Sequence, residues 1–156
     1  MEEILVRFNQ EGVGRVLSNL SKHRFIFRGV QCQSTEGILH SVKVNDPEFQ
    51  RGWCMKHGVE AQRIPSKYKP DSWKEKQTLW WQGTPMMRTS RVYREFVKEM
   101  YYEVSLHCPD YRDALLSTKG KRLIHPMGPI EPNKTVLTRH EFTSALEWVR
   151  DQWISD

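Results

Sequence analysis

Between Ser90 and Leu106 the apolar residues Val92, Tyr93, Phe96, Val97, Met100, Tyr101 and Val104 recur at spacings of three and four, the period of one helical face. The other face carries Arg91, Arg94, Glu95, Lys98, Glu99 and Glu103. Its Arg91/Glu95 pair is worth only about 0.2 to 0.5 kcal/mol, so that face reads as solvated surface. A second stripe, Phe142, Ala145, Leu146, Val149 and Trp153, follows the capping box Thr138-Arg139-His140-Glu141 and predicts a C-terminal helix. Upstream, aromatic and β-branched residues from Arg24 to Arg28 predict a short strand closed by a turn at Gly29. Ser34 then offers a helix N-cap, Glu36 sits in the first turn, and Ile38, Leu39 and Val42 form the buried stripe of a helix reaching about Asn45. Asp46-Pro47-Glu48 opens another short helix, running to about His57. Arg63 to Asp71 reads as an irregular connection, after which Asp71 or Ser72 caps a segment carrying Trp73, Leu79, Trp80 and Trp81 that ends at Gly83-Thr84-Pro85. Pro109 to Leu116 makes a further helix and Lys121 to His125 a strand. The pattern predicts one domain over residues 1–156, α+β and predominantly helical, with a few short strands.

Composition supports a folded chain. It is 38% hydrophobic and 28% charged, its mean hydropathy is −0.69, and six Trp, five Tyr and six Phe can fill a core without disulfides or metal. No run of eighteen apolar residues exists and no apolar stretch follows a basic start, which speaks against transmembrane, secreted and lipid-anchored classes. Cys32, Cys54 and Cys108 lie far apart, as expected of reduced thiols in a cytoplasmic protein. The net charge of +5 favours an anionic partner, a phosphate ester or nucleic acid, although acidic residues interrupt almost every basic stretch.

There is no glycine-rich phosphate loop, no H-E-x-x-H, no G-x-S-x-G and no dinucleotide fingerprint. The six histidines are scattered, no neighbour completes a metal site, and no metal or organic cofactor is implied. The informative stretch is the first helix. Glu36 and Lys43 are seven residues apart, two turns along one face with His40 between them, and that stripe borders the apolar one. A partly desolvated carboxyl is raised in pKa and a partly desolvated amine lowered, the shifts a general acid and a nucleophilic lysine need. The alternative is a solvated stripe in which Glu36 only complements the helix dipole. Trp73, Trp80 and Trp81 are able to stack a base or to pack in the core. Arg88 and Arg91, at the turn into the long helix, either clamp a phosphate or form a surface pair.

Leu17-Ser18-Asn19-Leu20, Phe25-Ile26-Phe27 with Gly29, Ser34-x-Glu36-Gly37 and Lys43 resemble, in order and spacing, motifs of the NADAR family, the YbiA-like N-glycosidases. Lys56 to Ile64, Asp71-Ser72-Trp73 and Ala114-Leu115-Leu116-Ser117-Thr118 extend the resemblance, which covers roughly Leu17 to Gly128. It implies a predominantly helical α+β domain that cleaves a base-to-ribose N-glycosidic bond, either in phosphorylated ribosylaminopyrimidine intermediates of riboflavin synthesis or in ADP-ribose attached to guanine, in nucleic acid or nucleotides. It puts Glu36 and Lys43 at the active-site acid and lysine, Asn19 and Gly29 at the entrance, and Trp73 where an aromatic contacts ligand. The chain departs from the family after Thr118. It reads Leu123-Ile124-His125-Pro126-Met127-Gly128 where many members carry an acid and then an Asp ahead of Trp-Gly, which leaves the second acidic partner and the natural base open. Breaking such a bond needs a proton for the leaving group and a stabiliser or nucleophile for the sugar carbon, and Glu36 and Lys43 supply both types. Two rivals come from other classes. One is a non-catalytic module binding ADP-ribose, NAD or ADP-ribosylated nucleic acid; the other is a basic nucleic-acid-binding protein with steep salt dependence.

Overall fold

Side-chain caps set four of the helix starts. In the computed structural model, which describes residues 2–155, Ser34 Oγ accepts from Gly37 N at 3.0 Å and opens α2 (Thr35–Ser41). Asp46 does the same for Phe49 N at the start of α3 (Pro47–Trp53), and Ser90 for Tyr93 N at α6 (Arg91–His107). Thr138 and Glu141 form the reciprocal box that opens α8 (Arg139–Ser155). The remaining helices are α1 (Val13–Val16), α4 (Val59–Gln62), α5 (Trp73–Lys76) and α7 (Pro109–Leu116), with 3-10 turns at Ser66–Tyr68 and Pro132–Lys134. The predominantly helical α+β class is therefore present. Among the described residues no helix is long and apolar enough to cross a membrane.

Among the described residues the strands pair in three two-stranded sheets. Strands β2 (Phe25–Phe27) and β3 (Val30–Cys32) form a hairpin turned by Arg28 and Gly29, whose φ values of 48° and 81° meet the need of a tight primed turn. Strands β4 (Thr78–Trp81) and β5 (Thr84–Met87) repeat the device at Gln82 and Gly83. Near the chain ends, β1 (Glu3–Leu5) pairs in parallel with β6 (Arg122–Ile124), Ile4 opposite Leu123. The core lies between α6 and α8, the β2–β3 hairpin and the inner face of α2, where Phe27, Ile38, Phe96, Met100 and Leu146 are fully buried.

Four expectations change. α3 ends at Trp53 rather than about His57, because the chain leaves it through tight turns in which Met55 N donates to Gly52 O and Lys56 N to Trp53 O. α2 stops at Ser41 rather than Asn45, because the carbonyls that would extend it are drawn sideways: Ser41 O and Val44 O accept from Gln50 Nε2, and Val42 O from Trp80 N. The tryptophan segment is one helical turn followed by a hairpin, so Trp81 and Leu79 face the core as alternate strand positions while Trp80 is only half-buried. Val92 is 62% exposed, at the edge of the α6 stripe. Gly37 lets α2 lie directly on the end of α3, since a Cβ there would stand 3.0 Å from Trp53 O and 3.2 Å from the Cys54 Cα.

Candidate active site

The face of α2 that turns away from the core carries a hydrogen-bonded chain of three side chains. Glu36 is fixed at the first turn, its own N–H donating to Asn19 O at 3.1 Å. Its Oε1 lies 2.8 Å from His40 Nε2, one turn on, and His40 Nδ1 lies 3.0 Å from Lys43 Nζ. A carboxylate only accepts, so His40 donates from Nε2, and Nδ1 then accepts from the amine. The 3-10 turn that follows the helix, with Lys43 N donating to His40 O, keeps Lys43 on this face although α2 has ended. The Glu36 and His40 side chains are 14% and 17% exposed.

These groups open on a cavity of about 340 Å3 whose opposite wall is Asp71, Trp73 and Lys74, and whose rim is the chain after β6 together with Lys134 to Thr138. Burial holds the Lys43 ammonium below the usual lysine value, against the raising pull of Asp71 and Glu36; Lys74 pushes in the same direction as burial. A second cavity, of about 420 Å3, adjoins the first and shares Asn19, Glu36, His125, Met127 and Gly128 with it, and Arg7, Phe8 and Gln62 line its far side. Glu36 thus stands where the two cavities meet. A separate groove of about 420 Å3 at Arg24, Ile26, Gln33, Met55 and His107 assembles no acid, base and amine in contact. Among the described residues no group of three His, Cys, Asp or Glu is arranged to hold a metal ion.

Of the residues singled out in the sequence, Glu36, Lys43, Asn19 and Trp73 come together here. The Asn19 amide plane is fixed by Thr35 Oγ1 and Tyr101 OH, which donate to Oδ1 at 2.7 and 2.6 Å. Trp73 lines the cavity but is 1% exposed, which leaves no free ring face for stacking; its Nε1 has no partner among the described residues. The other three lie elsewhere. Gly29 is in the β2–β3 turn, where its φ explains the residue. Arg88 is 1% exposed and faces inward: it forks onto the Glu141 carboxylate and donates from Nε to Thr135 O at 2.7 Å, so its fork holds the cavity rim from behind and is closed to a phosphate. Arg91 is an exposed first-turn residue of α6 outside both cavities. His40, read on this face between Glu36 and Lys43 but without a role, joins the two. Its spacings, four from Glu36 and three from Lys43, already put all three in contact on a helix.

The family model for bacteriophage protein GP30.3 matches residues 13–151. An uncharacterised 17.1 kDa protein of the Gp30-rIII intergenic region of Enterobacteria phage T4 is 32% identical over 152 residues, 97% of this chain and 99% of that one. The NMR structure of the E. coli protein YbiA superposes with a TM-score of 0.60 over 99% of this chain and 86% of YbiA, at 13% identity. The likeness to YbiA is one of fold, and it agrees with the resemblance read in the motifs.

Proposed function

The chain belongs to the bacteriophage protein GP30.3 family, and from that footing and its YbiA-like fold we propose that the α2 cleft hydrolyses a base-ribose N-glycosidic bond. The substrate is an ADP-ribosyl group on guanine or a phosphorylated ribosylaminopyrimidine. The observation that carries this reading is the Glu36, His40 and Lys43 chain, which places an acid and a desolvated amine in one cleft.

Glu36 donates a proton to the departing base nitrogen as the bond from C1′ to that nitrogen breaks and its electron pair leaves with the base. Lys43, as the free amine, bonds to C1′; one of its two protons passes to the ring oxygen as the bond from C1′ to that oxygen breaks, and the resulting protonated imine adds water to release the sugar and restore the lysine. The junction of two cavities at Glu36 suits a substrate with a group on either side of the scissile bond. Lys74 and Lys134 supply positive charge for a phosphate on the first side.

The test is product analysis after incubation with ADP-ribosylated guanine DNA and, separately, with a ribosylaminopyrimidine phosphate, with borohydride added to trap the imine. Multiple turnovers with an adduct at Lys43 are expected with one substrate. Saturable binding of both without turnover would instead establish a non-catalytic module.

A further inference from the structure

We propose that His40 is a proton relay that turns Glu36 into an acid and Lys43 into a free amine in a single internal transfer. The inference rests on the Glu36 and Lys43 roles given above and deepens them. That chemistry needs two groups in the protonation states each least favours near neutrality, a protonated carboxyl and an unprotonated amine. Glu36 and Lys43 share no direct hydrogen bond, and each instead contacts the imidazole between them. His40 fills the gap, with each ring nitrogen on one of the two groups, at 2.8 and 3.0 Å.

The transfer balances without solvent. The Lys43 Nζ–H bond breaks as Nδ1–H forms, and the Nε2–H bond breaks as an O–H forms on Glu36. His40 exchanges one neutral tautomer for the other, and no proton enters or leaves. Both formal charges vanish, a change favoured on the lysine side, where burial holds the ammonium below its usual value. The charged groups that meet Lys43 from outside α2 are Asp71 and Lys74, one of each sign, so they partly offset one another and leave the balance to burial. His40 touches neither the sugar carbon nor the leaving base in this scheme; it acts through Glu36 and Lys43 and is a positioning residue.

Two measurements test it on the full chain. Ribose 5-phosphate with cyanoborohydride labels a free amine through an imine and needs no N-glycosidic bond, and mass spectrometry reads the adduct at Lys43. His40→Gln keeps a bridge, donating to Glu36 and accepting from Lys43, but cannot relay. It is expected to keep the wild-type melting temperature and KM and to lose about 10²-fold in kcat and in labelling rate. In His40→Gly, imidazole restores labelling, whereas N-methylimidazole, blocked at one nitrogen, does not.

Wild-type rates in His40→Gln, or equal rescue by both imidazoles, overturn the relay, as does a wild-type protein that ribose 5-phosphate does not label at Lys43. The outcomes separate the two claims. Labelling that depends on His40 in a protein that cleaves neither substrate upholds the relay and rejects the N-glycosidase reading. Cleavage with a trapped Lys43 adduct that is indifferent to His40→Gln does the reverse.

Discussion

Glu36 and Trp73 line one cavity, yet the structure assigns them different dependences. Glu36→Gln is nearly isosteric and retains a hydrogen-bond acceptor for His40, but it neither holds nor gives the catalytic proton. We expect kcat to fall by at least about 10²-fold with an unchanged melting curve; full activity on the correct substrate would remove Glu36 from the mechanism. Trp73 is packed as a core residue, so Trp73→Ala is expected to cost about 3 to 5 kcal/mol in urea unfolding and Trp73→Phe clearly less. An Ala variant as stable as the wild type would contradict its burial. The Glu36 and Lys43 pairing was legible because a helix makes spacing equivalent to proximity. Gly29 and the two arginines were not, because whether a turn or a guanidinium faces a cleft depends on tertiary partners that local pattern does not contain. Arg88 shows this most directly: its partner Glu141 lies 53 residues away and was legible only as half of a capping box.

At the level of elements, capping chemistry read in the sequence located the starts of α2, α3 and α8, and apolar periodicity that of α6, whereas the end of α2 was set by long-range donors, Gln50 Nε2 and Trp80 N, that no periodicity reveals. The chain before Leu17 gave no periodic signal, and α1 and β1 there are too short to produce one. The Arg88–Glu141 fork joins the end of β5 to the start of α8 and pins Thr135, so the cavity rim depends on it. Burial works to raise the Glu141 carboxyl, but the hydrogen bonds from Arg88 and Thr138 outweigh it and hold it below the usual carboxylate range. A carboxyl depressed in the folded state contributes stability that is complete above its unfolded value, near 4.5, and is lost as pH falls through the lower folded value. Glu141→Gln leaves the Arg88 charge buried without its counter-charge. We expect a loss of about 3 kcal/mol at pH 7 in urea titrations, shrinking below pH 4.5 as the wild type loses the same charge. A constant difference down to pH 2 would show that the ion pair is not its source.

On the scale of the whole molecule, the cleft is assembled from segments spread along almost the entire chain: the turn after β1, α2, the start of α5, the chain after β6 and the approach to α8. Parallel pairing of β1 with β6 brings the two end segments together at Glu36. The site is therefore a product of global folding, and its electrostatics are open to adjustment from elements outside α2. Asp71 raises the Lys43 value and Lys74 lowers it. The proposed reaction runs through the minor form with Glu36 protonated and Lys43 neutral, whose share falls as the Lys43 value rises. Raising the Lys43 value lowers the plateau of kcat and moves its alkaline limb to higher pH; lowering it does the opposite. Asp71→Asn should thus give a higher plateau and an earlier alkaline fall, and Lys74→Glu a lower plateau and a later fall. The Asp71 side chain is 82% exposed and that of Lys74 43%, so the shifts should amount to a few tenths of a pH unit at low salt and shrink in 1 M salt, where screening acts within about 3 Å. Measured at saturating substrate, plateau and limb must move together in this opposed fashion. If the two variants shift the alkaline limb in the same direction, Lys43 is not the group that titrates there.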